Sequence, residues 1–63
     1  MADASYVTVT PTWKNPERFN VLYYHYHEHI DEYRVARVSP PTSKQKAEDL
    51  AAAWAKELKV IIR

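Results

Sequence analysis

The chain has 63 residues, with nine basic side chains, eight acidic side chains and no cysteine. This length predicts one domain, over residues 1–63, that buries only about 60% of the surface its unfolded form exposes. The near balance of charge disfavours a nucleic-acid module held by a basic surface, and the lack of cysteine excludes disulfides and thiolate metal ligands. Oligomerisation, such as a homodimer, or a partner could supply the missing burial.

We expect neither a signal peptide nor a membrane-spanning helix. The first residues lack the basic and apolar regions of a signal peptide. No apolar run approaches the roughly 20 residues of a membrane-spanning helix. We therefore expect a cytoplasmic protein without membrane contact.

Three segments in the first part of the chain have the features of strands. Strict alternation and β-branched residues predict a first strand over Tyr6–Thr10, which Pro11 ends or places at an edge. A second strand is expected from Arg18 to about His27. A reversal over 29–32 then leads into a third strand, Tyr33–Val38.

The strongest pattern predicts a helix from Ser43 to Leu58. Its apolar residues recur at the spacing of one helical face: Ala47, Leu50, Ala51, Trp54, Ala55 and Leu58. Thr42 is the expected N-cap, with Gln45 completing a capping box three residues later. We expect Trp54 to pack between this helix and the sheet.

The end of the chain predicts a last strand over residues 60–62. It is apolar at every position, as expected for a strand buried on both sides or lying centrally. The order β-β-β-α-β predicts an α+β domain, an antiparallel meander with one helix packed on one sheet face. The crossover is expected to be right-handed, and the last strand could join beside the first strand or the third.

A single helix can cover only one face of this sheet. Strand alternation gives the expected inner set: Val7, Val9, Phe19, Val21, Tyr23, Tyr33 and Val35. On the second strand the other candidate inner set is Leu22, Tyr24 and Tyr26, and we choose the first because it is more aliphatic and begins with Phe19. The open face would then hold Tyr6, Thr8, Thr10, Leu22, Tyr24, Tyr26, Arg34, Ala36 and Val38. Tyrosine and arginine are enriched at binding hot spots, so we predict a partner-binding set of Tyr6, Tyr24, Tyr26 and Arg34. The alternative is that these tyrosines only pair across strands.

Three histidines, His25, His27 and His29, share one face of the second strand. Imidazoles two residues apart on a strand can chelate zinc or copper, so this tract is a candidate metal site. The alternative, which we prefer because the sequence offers no second ligand cluster, is a hairpin end with solvated histidines. We expect no bound metal and no cofactor.

The sequence also bears on catalysis and on nucleic acid. The chain has no glycine, so glycine-rich phosphate loops and nucleophile elbows are excluded, and its acidic residues suggest no paired-carboxylate pocket. We therefore expect no enzymatic activity. Bases of a single-stranded nucleic acid could stack on Tyr24 and Tyr26 beside Arg34, which is an alternative ranked below protein binding.

Several short segments occur in the order found in a known group of proteins. They are Val7–Thr10, Asn15–Pro16, Phe19–Val21, Val35–Arg37, an alanine-rich helix with Trp54, and Val60–Ile62. In this order the chain resembles the small phage-encoded anti-CRISPR proteins, particularly inhibitors of type I surveillance complexes. The resemblance implies a non-enzymatic protein that binds a host protein or ribonucleoprotein complex in the host cytoplasm and blocks it by occupying a surface. It transfers no binding residue to this chain.

Overall fold

The computed structural model describes residues 4–63, which form a four-stranded mixed sheet with one helix on one face. The strands are β1 (Tyr6–Pro11), β2 (Phe19–His27), β3 (Glu32–Val38) and β4 (Ile61–Ile62), and the helix α1 spans Lys44–Leu58. The predicted α+β class and element order are therefore confirmed. Residues 1–3, on which the expectation of no signal peptide partly rests, lie outside this range. Within it, no helix has both the length and the apolar character needed to cross a membrane.

The sheet order is β3-β2-β1-β4, which settles where the last strand joins. The first three strands form an antiparallel meander, and β4 runs parallel to β1 with Ile61 beside Tyr6 and Ile62 beside Val7. The prediction of a buried central strand over residues 60–62 was wrong. Only Val60 packs on the core, whereas both isoleucines are exposed because β4 is a short strand at the sheet edge.

The core lies between α1 and the inner face of β1 and β2. Its fully buried side chains are those of Val7, Val21, Ala47 and Ala51. Two alanines on the helix allow its backbone to approach the sheet closely, so two small valines fill the space between the layers. The side chains packed around this centre are Val9, Phe19, Tyr23, Leu50, Trp54 and Val60. The predicted inner set of β2 is thereby confirmed.

A β-bulge changes which side chains of β3 face the helix. Tyr23 lies opposite Arg37, but the next residue, Tyr24, lies opposite Val35, so Ala36 is an extra residue in β3. Because side chains alternate between the two faces, this insertion reverses the predicted faces of every residue before it. Tyr33 and Val35 therefore lie on the open face, and Arg34 lies on the helix side.

The helix begins one residue later than predicted. Ser43, not Thr42, is the N-cap, and its hydroxyl accepts a hydrogen bond from the backbone N–H of Lys46 at 3.3 Å. Thr42 instead exchanges two backbone hydrogen bonds with Phe19, of 2.8 and 2.9 Å. Thr42 therefore pairs with the end of β2, and the next residue caps the helix.

Candidate protein-binding face

The sheet face opposite α1 is rich in tyrosine. The strand registers place one set of side chains on it, which we call the tyrosine face: Tyr6, Thr8, Thr10, Asn20, Leu22, Tyr24, Tyr26, Tyr33, Val35, Val38 and Ile61. Four of these eleven are aromatic and four are aliphatic. Because α1 occupies the other side of the sheet, no element within residues 4–63 covers this set.

The four tyrosines form a continuous row across β1, β2 and β3. Tyr6 stacks on Tyr24 with ring centroids 5.1 Å apart and planes 27° apart. Tyr33 then lies 5.4 Å from Tyr6 and 5.1 Å from Tyr26, both in tilted contacts. Ring pairs at these distances stabilise one another beyond the area they bury, so the row is a preformed surface.

A cation lies beside the row at Tyr6, whose ring contacts both Tyr24 and Tyr33. The guanidinium of Arg63 lies 4.5 Å from the ring centroid of Tyr6, within range of a cation–π interaction. The backbone of Arg63 is fixed by two hydrogen bonds. Its N–H donates to the carbonyl of Val7 at 2.8 Å, and its carbonyl accepts from the hydroxyl of Thr8 at 2.9 Å. The backbone that carries the positive group is thus held against β1.

The Tyr26 end of the row carries an anion. The phenol of Tyr26 donates a hydrogen bond to the carboxylate of Asp31, in the turn between β2 and β3. This hydrogen bond, with a smaller effect from desolvation and from the negative charge of Asp31, raises the pKa of Tyr26. Asp31 has a positive φ of 52°, a conformation that aspartate adopts more readily than most residues.

Aliphatic side chains extend the surface beside the tyrosines. Val35, Val38 and Ile61 are 50%, 58% and 64% exposed. Tyr33 is 43% exposed, whereas the other three tyrosines are partly covered by their neighbours. Contiguous exposed apolar surface of this kind is typical of an interaction site.

The predicted partner-binding residues separate in the structure. Tyr6, Tyr24 and Tyr26 lie together on the tyrosine face, but Arg34 lies on the other face opposite His25, with its guanidinium 3.0 Å from Glu32. The placement of Arg34 on the open face was therefore wrong, because the bulge at Ala36 was not anticipated.

The sequence reasoning missed two prominent side chains of this surface. They are Tyr33, on β3, and Arg63, after β4. The sequence did contain a signal for Tyr33. Val35 and Val38 are three residues apart, whereas apolar residues on one face of a strand without a bulge are two apart, so this spacing indicates a bulge between them. For Arg63 the missing information was the strand order, since it reaches Tyr6 only because β4 lies beside β1.

The three histidines lie on the helix side of the hairpin. The rings of His25 and His27 are 4.9 Å apart, and those of His27 and His29 are 6.0 Å apart. Nδ1 of His25 lies 3.0 Å from the hydroxyl of Tyr23 and 3.3 Å from that of Ser5. In the described part of the chain, no three side chains of histidine, cysteine, aspartate or glutamate are grouped so as to hold a metal ion.

A shallow depression of about 280 Å³ lies between α1 and β4. Its lining residues are Val9, Glu48, Ala51, Ile62 and Arg63. One carboxylate among mostly aliphatic groups gives no nucleophile and base within reach of each other. The depression is therefore a weaker candidate for function than the tyrosine face.

Comparisons with known proteins add no information about function. No protein-family model matches the chain, and no similar curated protein and no similar solved structure was found. The resemblance to anti-CRISPR proteins therefore stays a prediction from the sequence.

Proposed function

We propose that this protein is a non-enzymatic binding module that acts by covering a surface of a partner protein with its tyrosine face. The observation that carries the proposal is the continuous row formed, in order of contact, by Tyr24, Tyr6, Tyr33 and Tyr26, with exposed aliphatic side chains beside it. Tyrosine contributes a large contact area and loses little conformational entropy on binding. A rigid aromatic surface of this kind supports recognition of another protein.

The class of partner comes from the sequence resemblance. We propose a host protein or ribonucleoprotein complex, of which a type I CRISPR surveillance complex is the specific candidate, in the cytoplasm of a phage-infected cell. The protein would block that complex by occupying the surface that it uses for another contact. This part of the proposal rests on the order of short segments in the chain and on its small size.

Single-stranded nucleic acid is a weaker candidate for the same face. The tyrosines could stack on bases, but Arg34 points away from them and Asp31 places a negative charge at the end of the row. A phosphate backbone lying along the row would meet that carboxylate. The overall net charge of +1 adds little attraction.

The proposal is tested with truncations of the tyrosine row. Tyr24→Ala and Tyr33→Ala remove the two rings that contact Tyr6, and each should cost about 2 kcal/mol or more of binding energy at a hot spot. Binding to a purified type I surveillance complex, and inhibition of its binding to target DNA, are measured by calorimetry and by gel shift. The wild type and the same variants are also immobilised and incubated with host lysate. Proteins that the wild type captures and the variants do not are those that bind the tyrosine face.

Two control variants remove side chains of similar size elsewhere. Trp13→Ala deletes a ring that is 89% exposed in the loop between β1 and β2, and Arg34→Ala acts on the helix side. Both should bind as the wild type does. Equal binding by folded Tyr24→Ala and Tyr33→Ala would refute the role of the face. A wild type that binds no surveillance complex would refute the specific partner.

A further inference from the structure

Two charged side chains of opposite sign lie beside the tyrosine row. The guanidinium of Arg63 lies over Tyr6, and Asp31 accepts the hydrogen bond of Tyr26. The ring of Tyr33 contacts both Tyr6 and Tyr26, so these three rings lie between the two charges. The side chains of the tyrosine face itself are uncharged, and the face is therefore an apolar surface with a cation on one side and an anion on the other.

Such an arrangement is complementary to itself. Consider two identical faces related by a two-fold axis that lies between them, at right angles to the row. This axis reverses the direction of the row in the second copy. Arg63 of one copy then meets Asp31 of the other, and the same pair forms again at the opposite end. An axis along the row would instead place Arg63 on Arg63 and Asp31 on Asp31. The charges thus select the antiparallel arrangement.

A second copy would cover the aliphatic part of the tyrosine face. Exposed Val35, Val38 and Ile61 would all lose contact with water.

Residues 4–63 bury few side chains when the chain is alone. The fully buried apolar side chains in this range are two valines and two alanines. Domains of this size commonly need additional burial to be stable. A second copy supplies that burial without any further component.

We propose that the tyrosine face binds a second copy of this chain in an antiparallel two-fold dimer held by reciprocal Arg63–Asp31 contacts. The two sheets pack face to face, about 10 Å apart, with the helices outside. This inference rests on the proposed function in one respect, because it makes the same face a protein contact. It adds regulation: the second copy covers the face until a partner displaces it, so dimerisation and partner binding compete.

Charge reversal tests the arrangement by sedimentation equilibrium over a wide range of concentrations. The wild type should form dimers that dissociate on dilution. R63D gives a face with two anions and D31R gives a face with two cations, so each should weaken self-association by roughly tenfold to a hundredfold. An equimolar mixture of R63D and D31R should form heterodimers, because every end-to-end contact then joins opposite charges.

Matched controls separate this effect from net charge and from folding. K44D makes the same change of charge at an exposed position in the first turn of α1, and it should dimerise as the wild type does. Circular dichroism confirms that each variant is folded. A wild type that stays monomeric, an R63D protein that dimerises like the wild type, or a mixture that forms no heterodimer would each overturn the proposal.

These measurements use only the purified chain, so their failure is distinct from failure of the proposed function. If the wild type is monomeric but Tyr24→Ala loses a partner, the dimer is refuted and the binding function stands. If the dimer forms as described but Tyr24→Ala retains every partner, the dimer stands and the partner-binding role of the face is refuted. Where both hold, raising the concentration of the protein should lower its apparent affinity for the partner.

Discussion

Ser39 exchanges two hydrogen bonds with Val21 where β3 ends beside β2. The N–H of Ser39 donates to the carbonyl of Val21 at 2.9 Å, and the hydroxyl of Ser39 accepts from the N–H of Val21 at 2.8 Å. Val21 is fully buried and Ser39 is 5% exposed. The serine hydroxyl therefore takes the place of a strand partner at the point where the chain leaves the sheet for the helix.

We predict that Ser39→Ala destabilises the fold by about 1–3 kcal/mol, because the buried N–H of Val21 is left without an acceptor. Urea denaturation measures the change in the free energy of unfolding. As a control, Ala52→Ser adds a hydroxyl at an exposed position of the helix. Its free energy of unfolding should stay within about 0.5 kcal/mol of the wild-type value. An equally small effect of Ser39→Ala would show that water replaces the serine hydroxyl.

The start of α1 gives a second prediction, which separates two neighbouring residues. Ser43→Ala removes the N-cap hydroxyl that bonds to Lys46 and should cost about 1 kcal/mol of folding stability. Thr42→Ala keeps the two backbone hydrogen bonds with Phe19 and should cost less. Thermal unfolding of the two variants is compared under identical conditions. A larger loss for Thr42→Ala would restore Thr42 as the cap.

Trp54 gives a third prediction. Its ring packs against the core on one side, and the guanidinium of Arg37, which pairs with Glu57 at 3.2 Å, lies 5.1 Å from its centroid. Because the ring is only partly buried, Trp54→Ala should cost roughly 2–4 kcal/mol, at or below the range for fully buried rings. Trp54→Phe keeps most of the packing and should remain folded. Unchanged thermal stability of Trp54→Ala would contradict this packing.

Much of the fold was predictable because periodicity reports directly on burial. Alternation in β1 and β2 and the helical spacing from Ala47 to Leu58 each repeat over enough residues to identify one inner face. In β3 the pattern breaks at Ala36, and one inserted residue exchanges the faces of all those before it. The inner set of β3 therefore could not be obtained by extending a simple alternation.

The tyrosine face was predictable in part for the same reason. Tyr6, Tyr24 and Tyr26 follow from regular alternation, whereas Tyr33 depends on the bulge. Arg63 depends on a contact between the two ends of the chain. Local sequence patterns do not predict such a contact, because the contact depends on which edge of the sheet the last strand joins.

Tyr26 gives the last prediction, a pH dependence. Its hydrogen bond to Asp31 raises the pKa of the phenol in the folded state above the ordinary value near 10. The stability that this bond contributes is therefore fully present below about pH 10 and is lost as the pH rises through the raised pKa.

Phenolate absorbance is titrated in the wild type and in Tyr26→Phe, and the difference curve reports Tyr26 alone. Its midpoint should lie above pH 10 and should move down in Asp31→Asn, which removes the negative charge and retains a side chain suited to the positive φ. As a control, Tyr33→Phe changes the neighbouring tyrosine and leaves the hydrogen bond between Tyr26 and Asp31 intact. The titration midpoint of Tyr26 should therefore stay raised in this variant. A midpoint for Tyr26 that does not respond to Asp31→Asn would show that the carboxylate is not its partner in solution, and the anionic end of the row would then be free to bind elsewhere.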